Sequence, residues 1–349
     1  MKKLKQTIGI DVAQNELVCT LGYLFEDLST ELKSFMIFKN SLCGFKKLKK
    51  WAGKTTNERN TFFVLEATGV YHEKLAYWLH GNSCQVVIVL PNKISNYFRT
   101  LEIKTITDKT ASQAIARFGL ERTLNTWVPS KPIFRKMKQL TRERDQIVAE
   151  RTTIKNQIHA EKTEAFPNPN SLKRLKSREK LLNKQELAVK NEIEQLVKED
   201  KEIHKGVSHM TSIPGVGILT AAIVLGETNG FELIRNKRQL TSYAGLDVKE
   251  KLSGTSVKGK PRISKKGNRH LRKAVHLPAL SAKKFCEKFN GSYERLVAKH
   301  GIKMKALVSI QRKLLELMFT LYKNKANFDP DFEWKNIPLS LEMNTCVEP

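Results

Sequence analysis

Along the first third of the chain the apolar positions switch repeatedly between two periods. Residues 6–20, reading QTIGIDVAQNELVCT, predict a strand, a turn and a strand, and the apolar run 34–39 predicts a third strand. Leu42, Phe45, Leu48 and Trp51 then recur every three residues among lysines, the pattern of an amphipathic helix over 41–54. Residues 61–66 predict a fourth strand, 71–80 a helix, and 85–90 a fifth strand ended by Pro91. Residues 107–118 return to helix, with Gly119 as its expected C-cap. An opening meander followed by strand–helix alternation implies a mixed α/β sheet with helices on both faces, the order of an RNase H-like domain.

From Ile133 to Val207 charge dominates, apolar residues recur at three and four, and no glycine occurs before Gly206. Pro167 and Pro169 divide this stretch, which predicts two long helices, folded back as a hairpin or extended as a coiled coil. Such an arm would serve dimerisation or grip nucleic acid. Ile213-Pro214-Gly215-Val216-Gly217 and the apolar run 218–225 open a mostly helical third region. Its clearest late helix carries Leu307, Ile310, Leu314 and Met318 on one stripe. The expected divisions are 1–130, 131–209, 210–326 and an irregular tail over 327–349.

Charge sharpens this picture. Among 349 residues, 62 Lys and Arg stand against 35 Asp and Glu, a formal net charge of +27. An enzyme of small metabolites has no use for that excess, whereas a polyanion does, because neutralised phosphates release counterions. No apolar run is long enough to span a bilayer, so no membrane partner is expected, and the N-terminus leads into a strand. The five cysteines are scattered without metal-ligand spacing, as in a reducing, cytoplasmic compartment.

Three carboxylates stand where chemistry collects on such a sheet. Asp11 ends the first strand, Glu66 ends the fourth, and Asp108 opens a helix. Hard oxygen ligands of this kind suit Mg²⁺ or Mn²⁺, which promote phosphodiester transfer. A salt-bridged Asp11, a surface Glu66 and a helix-capping Asp108 would be the plainer account.

The motifs resemble, in combination, those of the IS110 and IS1111 group of insertion-sequence transposases, related to Piv-type DNA invertases. Gly9-Ile10-Asp11-Val12, Glu66-Ala67-Thr68-Gly69-Val70-Tyr71 and Pro91-Asn92-Lys93 match in the first third, with Thr107–Ala116 in place of the family's last two acids. Pro214-Gly215-Val216-Gly217, Tyr243-Ala244-Gly245-Leu246, Ser253-Gly254 and Ile263–Arg272 complete the pattern. The resemblance implies a RuvC-like N-terminal domain holding Mg²⁺ on Asp11, Glu66 and Asp108, a coiled-coil arm, and a C-terminal transposase domain with Ser253 as nucleophile. There is one departure: Ala111 occupies the position of the family's second helix acid. A replaced residue, a natural change of ligand or a shifted alignment would each account for it. The first is preferred, and it implies a chain impaired in catalysis.

Around Ser253, residues 249–273 hold ten Lys or Arg and one acid, a cluster suited to phosphate. The expected nucleic-acid contacts are Lys258, Lys260, Arg262, Lys265, Lys266, Arg269 and Arg272. The resemblance further implies donor and target DNA, a structured non-coding guide RNA, and a homodimer that becomes a tetramer at synapsis, in a bacterial cytoplasm. Two other readings stay open: a RuvC-like structure-selective DNA nuclease, which needs the acids but not Ser253, and an inactive nucleic-acid-binding scaffold, which Ala111 favours.

Overall fold

Five strands form the sheet of the first unit, Met1–Pro129. They are β1 (Lys3–Val12), β2 (Glu16–Phe25), β3 (Thr30–Lys39), β4 (Thr61–Glu66) and β5 (Gln85–Val89), with α1 (Leu42–Thr55), α2 (Glu73–Gly81), α3 (Pro91–Phe98) and α4 (Asp108–Glu121) between and after them. The computed structural model describes residues 2–56, 60–67, 69–101, 103, 105, 107–232, 234–250, 252, 253, 257–259 and 261–331, with backbone alone at 252, 253, 257 and 258. The sheet order is β3-β2-β1-β4-β5. The first three strands pair antiparallel, and β1, β4 and β5 run parallel. This is the mixed, RNase H-like sheet with flanking helices that the strand pattern implies.

β1 is buried almost without alternation because both of its faces are covered. Ile8, Ile10 and Val12 join Phe45 and Leu48 of α1 and Leu75 and Leu79 of α2 in one core. On the opposite face, Val64, Val87 and Val89 pack with Ile115 of α4. β3 begins at Thr30, earlier than its apolar run. It is the sheet's exposed edge, so its first half needs no apolar side chains.

One expectation from sequence is extended and one is corrected. Pro91 does not merely end β5: it opens α3, where its fixed φ suits the first helical position, and Ile94 and Tyr97 are buried one turn apart. Gly119 is not a C-cap, since α4 continues to Glu121. A Cβ on Gly119 would stand 2.9 Å from a Val64 methyl and 3.0 Å from a Thr7 methyl, so the glycine lets helix and sheet approach.

The second unit, Ser130–Pro349, is largely helical. Its helices are α5 (Pro132–Thr163), α6 (Pro169–Glu199), α7 (Lys201–Thr211), α8 (Ile218–Thr228), α9 (Lys237–Ala244), α10 (Arg269–Ala274), α11 (His276–Phe285), α12 (Glu287–His300) and α13 (Lys303–Asn324). α5 and α6 fold back on each other. Leu140, Ile147 and Ile154 recur every seven residues on one, and Leu182, Val189 and Leu196 on the other. Glu186 is buried in that seam beside Arg144, Arg151 and Lys190. Burial alone would raise its carboxyl, but the three cations hold it below its ordinary value. Gly215, at φ +89°, turns the chain between α7 and α8, and a Cβ there would lie 2.7 Å from the Pro278 carbonyl. That turn is thus fixed by packing on α11. Of the expected irregular tail, residues 332–349 lie outside the described residues.

The close approach of α4 to β1 yields a test. A Cβ on Gly9 would lie 2.2 Å from the Ala116 nitrogen and 2.5 Å from the Ser112 carbonyl oxygen, both backbone atoms of α4. Gly9→Ala is expected to destabilise this unit by at least the about 1–3 kcal/mol usual for overpacking. Thermal unfolding followed by proteolysis of the unit reads the loss, and an unchanged melting temperature would refute the contact.

Candidate active site

The acidic corner is built by register. Ile10 of β1 pairs with Leu65 of β4 in parallel, so one step further sets Asp11 beside Glu66 at the carboxyl ends of both strands. Alternation along each strand puts Thr7, Gly9 and Asp11 on one face, together with Phe62, Val64 and Glu66. That face lies under α4. The Thr7 hydroxyl donates to the Ala116 carbonyl at 2.9 Å, and the backbone of Ser112 and Ala116 covers Gly9. Asp108, Ser112 and Ala116 are spaced by four and share one side of the helix. The helix therefore carries Asp108 over the strand ends.

Asp108 is not the helix cap. Thr107 caps α4, exchanging bonds with Thr110, and Asp108 is the first helical residue, exposed at the positive end of the helix. The Asp11 carboxyl is raised above its ordinary value, first by burial and then by the nearby charge of Asp108, against a backbone hydrogen bond from Val12. Two like charges are thus gathered at a half-buried strand end. Among the described residues, no three His, Cys, Asp or Glu side chains close into an ion cage. The corner is an open set of oxygen donors.

Ala111 lies in the first turn of α4 and is half-buried. The only acids in this helix are Asp108 and, at its far end, Glu121. Ser112 does not replace the missing acid: its buried hydroxyl donates to the Lys109 carbonyl at 2.9 Å and lies 2.8 Å from the Thr20 hydroxyl.

In the second unit the basic segment forms a two-stranded ribbon. β6 (Val248–Lys249) pairs with β9 (Arg262–Ile263), and β7 (Leu252–Ser253) pairs with β8 (Val257–Lys258), all antiparallel. Ser253 pairs with Val257 in the outer ladder. The side chains of Ser253 and Lys258, and the whole of Lys260, lie outside the described residues. Arg262, Lys265, Lys266 and Arg269 are exposed. Arg272 is half-buried and donates to the Ala244 carbonyl at 2.7 Å, tying the segment to the turn after α9.

Behind the ribbon lies a network that the sequence did not disclose. Glu227 of α8 is buried and receives Nε of Arg142 at 2.8 Å and the Asn268 amide at 2.6 Å. Burial opposes its charge, yet Arg142 and Asn268 hold the carboxyl below its ordinary value. The Asn268 side-chain oxygen also caps α10, accepting from His270 and Leu271. Its backbone N–H donates to the Tyr243 carbonyl at 2.7 Å. The Tyr243-Ala244-Gly245 turn and the Lys265–Arg272 segment are therefore one assembly. No periodicity signals it, because Arg142, Glu227 and Asn268 are far apart along the chain.

Residues 207–294 match the profile of the transposase IS116/IS110/IS902 family, and residues 8–167 match a second, DEDD-type transposase profile of IS110 elements. The chain belongs to the IS110-type transposase family. The first match contains the Ser253 ribbon, and the second spans β1 to the end of the α5–α6 hairpin's first helix, with the acidic corner inside it. The chain is similar to the pilin gene-inverting proteins of Moraxella bovis and Moraxella lacunata, each 27% identical over 332 residues, covering 93% of this chain and 98% of the relative. It is also 30% identical over 142 residues to a 43.6 kDa protein of insertion element IS110 from Streptomyces coelicolor, covering 41% of this chain and 34% of that protein. Among solved structures, RuvC of T. thermophilus in complex with a Holliday junction aligns at 11% identity and a TM-score of 0.28, over 35% of this chain and 99% of that one. As an IS110-type transposase the chain is an enzyme of DNA recombination. No helix among the described residues is long and apolar enough to cross a membrane.

The Asp11 shift predicts a pH dependence. A carboxyl raised in the folded state binds its proton more tightly there than in the unfolded chain. Stability of the cation-free protein is therefore expected to fall as pH rises from the ordinary carboxylate value through the raised one. In Asp108→Asn, which removes the like charge, the fall should be smaller. Melting temperatures across that window decide it, and identical slopes in both proteins would show the two acids to be uncoupled.

Proposed function

We propose that this chain cuts and rejoins DNA through Ser253, assisted by a divalent cation of the Mg²⁺ or Mn²⁺ kind at Asp11, Glu66 and Asp108. The observation that supports this reading is that Asp11 and Glu66 end neighbouring parallel strands and that the charge of Asp108 reaches Asp11, in a chain of the IS110-type family. Their oxygen donors are the right type for a hard cation, and their mutual repulsion favours one. Such an ion, when bound, would polarise the phosphodiester.

The chain's own part in the reaction follows from the chemistry of the groups. The Ser253 oxygen bonds to phosphorus, and the phosphorus bond to the leaving sugar oxygen breaks. The hydroxyl proton is lost from Oγ, and the leaving oxygen takes one up. The strand end is then held covalently, so the bond energy is kept for rejoining. The exposed Arg262, Lys265, Lys266 and Arg269, with Lys258 and Lys260, supply the positive field for the phosphate backbone. Arg272, through its bond to Ala244, holds that segment in place and has further N–H groups for the phosphate.

In this reading residues 1–130 are the metal-binding domain, 131–209 the arm, 210–326 the serine domain and 327–349 a tail. A structured non-coding RNA pairs with donor and target DNA, which leaves the protein to read shape and backbone. The net charge of +27 suits both polyanions. A homodimer, doubling at synapsis, brings the strands together, and the chain works in the bacterial cytoplasm. Ala111 leaves the acidic set one ligand short of the family's pattern.

A strand-transfer assay with donor DNA, target DNA, Mg²⁺ and the associated RNA tests this. Ala111→Asp is expected to raise turnover by on the order of 10²-fold, the scale of several kcal/mol of metal assistance. Products should include a peptide bearing DNA on Ser253, absent from Ser253→Ala. Cutting that survives Ser253→Ala would favour a structure-selective nuclease. Binding without reaction in Ala111→Asp would favour the scaffold.

A further inference from the structure

Beside the ribbon of the second unit lie two adjoining cavities that share Arg262 and Ile263. The first, about 270 Å³, has walls from Leu246, Val248, Leu296, Ala306 and Val308, so it is mainly apolar. Its rim carries Arg262, His300, Lys305 and Arg312. The Arg312 guanidinium is engaged by Glu316, at 2.8 Å, which leaves Arg262 and Lys305 as the cations for a ligand. The second cavity, about 300 Å³, is lined by Lys249, Arg262, Ile263, Ser264 and Lys265. Among the described residues no acid lines either one; Asp247, nearby, accepts the Ser264 hydroxyl at 2.6 Å.

An apolar slot beside a three-cation pocket, the two sharing Arg262 and Ile263, matches a molecule with a flat ring at one end and an anion at the other. We propose that the pair of cavities holds one unpaired DNA nucleotide, its base in the apolar slot and its phosphate on Lys249, Arg262 and Lys265. Neither half suits a paired base, because a ring enters such a slot only when it leaves the stack. The slot's volume lies near the lower end of small-ligand sites, about 300 Å³. β6 and β7 are successive strands of the ribbon, and Ser253 stands four residues beyond Lys249. At about 3.3 Å per residue that separation is at most roughly 13 Å. The captured nucleotide therefore lies within about four base steps of the bond that Ser253 attacks, at 3.4 Å per step. Strand exchange requires unpaired bases in that region. The inference rests on the proposed role of Ser253 for its location, and on the cavities alone for its ligand.

The test uses the full chain and a short oligo(dT) carrying one thiothymidine, photocrosslinked and mapped by peptide sequencing. Crosslinks are expected in the peptides bearing Leu296 or Val308. Ser309 lines the slot without belonging to the core, so Ser309→Trp fills it. That variant, with an unchanged melting temperature, should lose the crosslink at least tenfold and keep its duplex affinity. Arg262→Ala should weaken oligo(dT) binding about tenfold, the scale of one charge-assisted hydrogen bond. Crosslinks elsewhere, an unaltered crosslink in Ser309→Trp, or crosslinking to oligo(U) alone would each overturn the inference while duplex binding leaves the function intact. Loss of duplex affinity in Ser309→Trp would overturn it too, by making the slot part of the general DNA face. A wild-type chain that binds no DNA would overturn both readings.

Discussion

The first unit depends on the seating of α4 directly on the backbone of β1. Gly9 leaves no side chain between them, Gly119 clears the Val64 and Thr7 methyls, and the Thr7 hydroxyl fixes the register to Ala116. Close packing of this sort resists any added volume. It also fixes how far the helix reaches. With Ala116 and Ser112 over Gly9, the first turn of α4 has to arrive at the carboxyl ends of β1 and β4, and Asp108 comes with it. The charge coupling between Asp108 and Asp11 is the electrostatic consequence of that steric fit. The same seating explains why Ser112 is bonded into the interior.

The second unit solves a different problem, which is to hold a strongly basic surface segment in a defined shape. Lysines and arginines repel one another and provide little to fold around. The solution is a buried acid behind them. Glu227 draws in Arg142 and Asn268, and Asn268 joins the turn after α9 to the start of α10. Arg272 closes the assembly from the other side, through the Ala244 carbonyl. The α5–α6 hairpin repeats the device with Glu186 and its three cations. Breaking such a pair strands a buried charge, which costs far more than a surface ion pair contributes.

The acids and the serine ribbon lie in different units, and each unit carries its own chemistry ready for phosphate. One presents oxygen donors without a closed cage, and the other presents cations on a short ribbon. This division suits an enzyme whose substrate is a long polyanion. A DNA strand supplies the negative charge that the basic segment lacks and the phosphodiester on which the reading of Ser253 and the acids depends.

The sequence by itself determined the period of the sheet strands and the main helices, the mixed sheet, the two long helices of the middle region and the charge. Those are local properties: β4 shows as the apolar run Phe62-Phe63-Val64-Leu65, and α5 and α6 show their seam at seven-residue spacing. It also carried Asp11, Glu66 and Asp108 as separate strand-end and helix-start acids, and the motifs that resemble the family. Helix α3 was hidden because eight residues after a proline look like a strand's end. Gly119 misled because a glycine near a helix terminus resembles a cap, and only the Val64 and Thr7 methyls reveal why it is there. The tertiary structure alone decided that Asp11 and Asp108 share a field, that Ser112 is committed to the core, and that Glu227 and Asn268 organise the ribbon's base. Each depends on residues distant in the chain brought to contact distance, and no periodicity encodes a contact of that range.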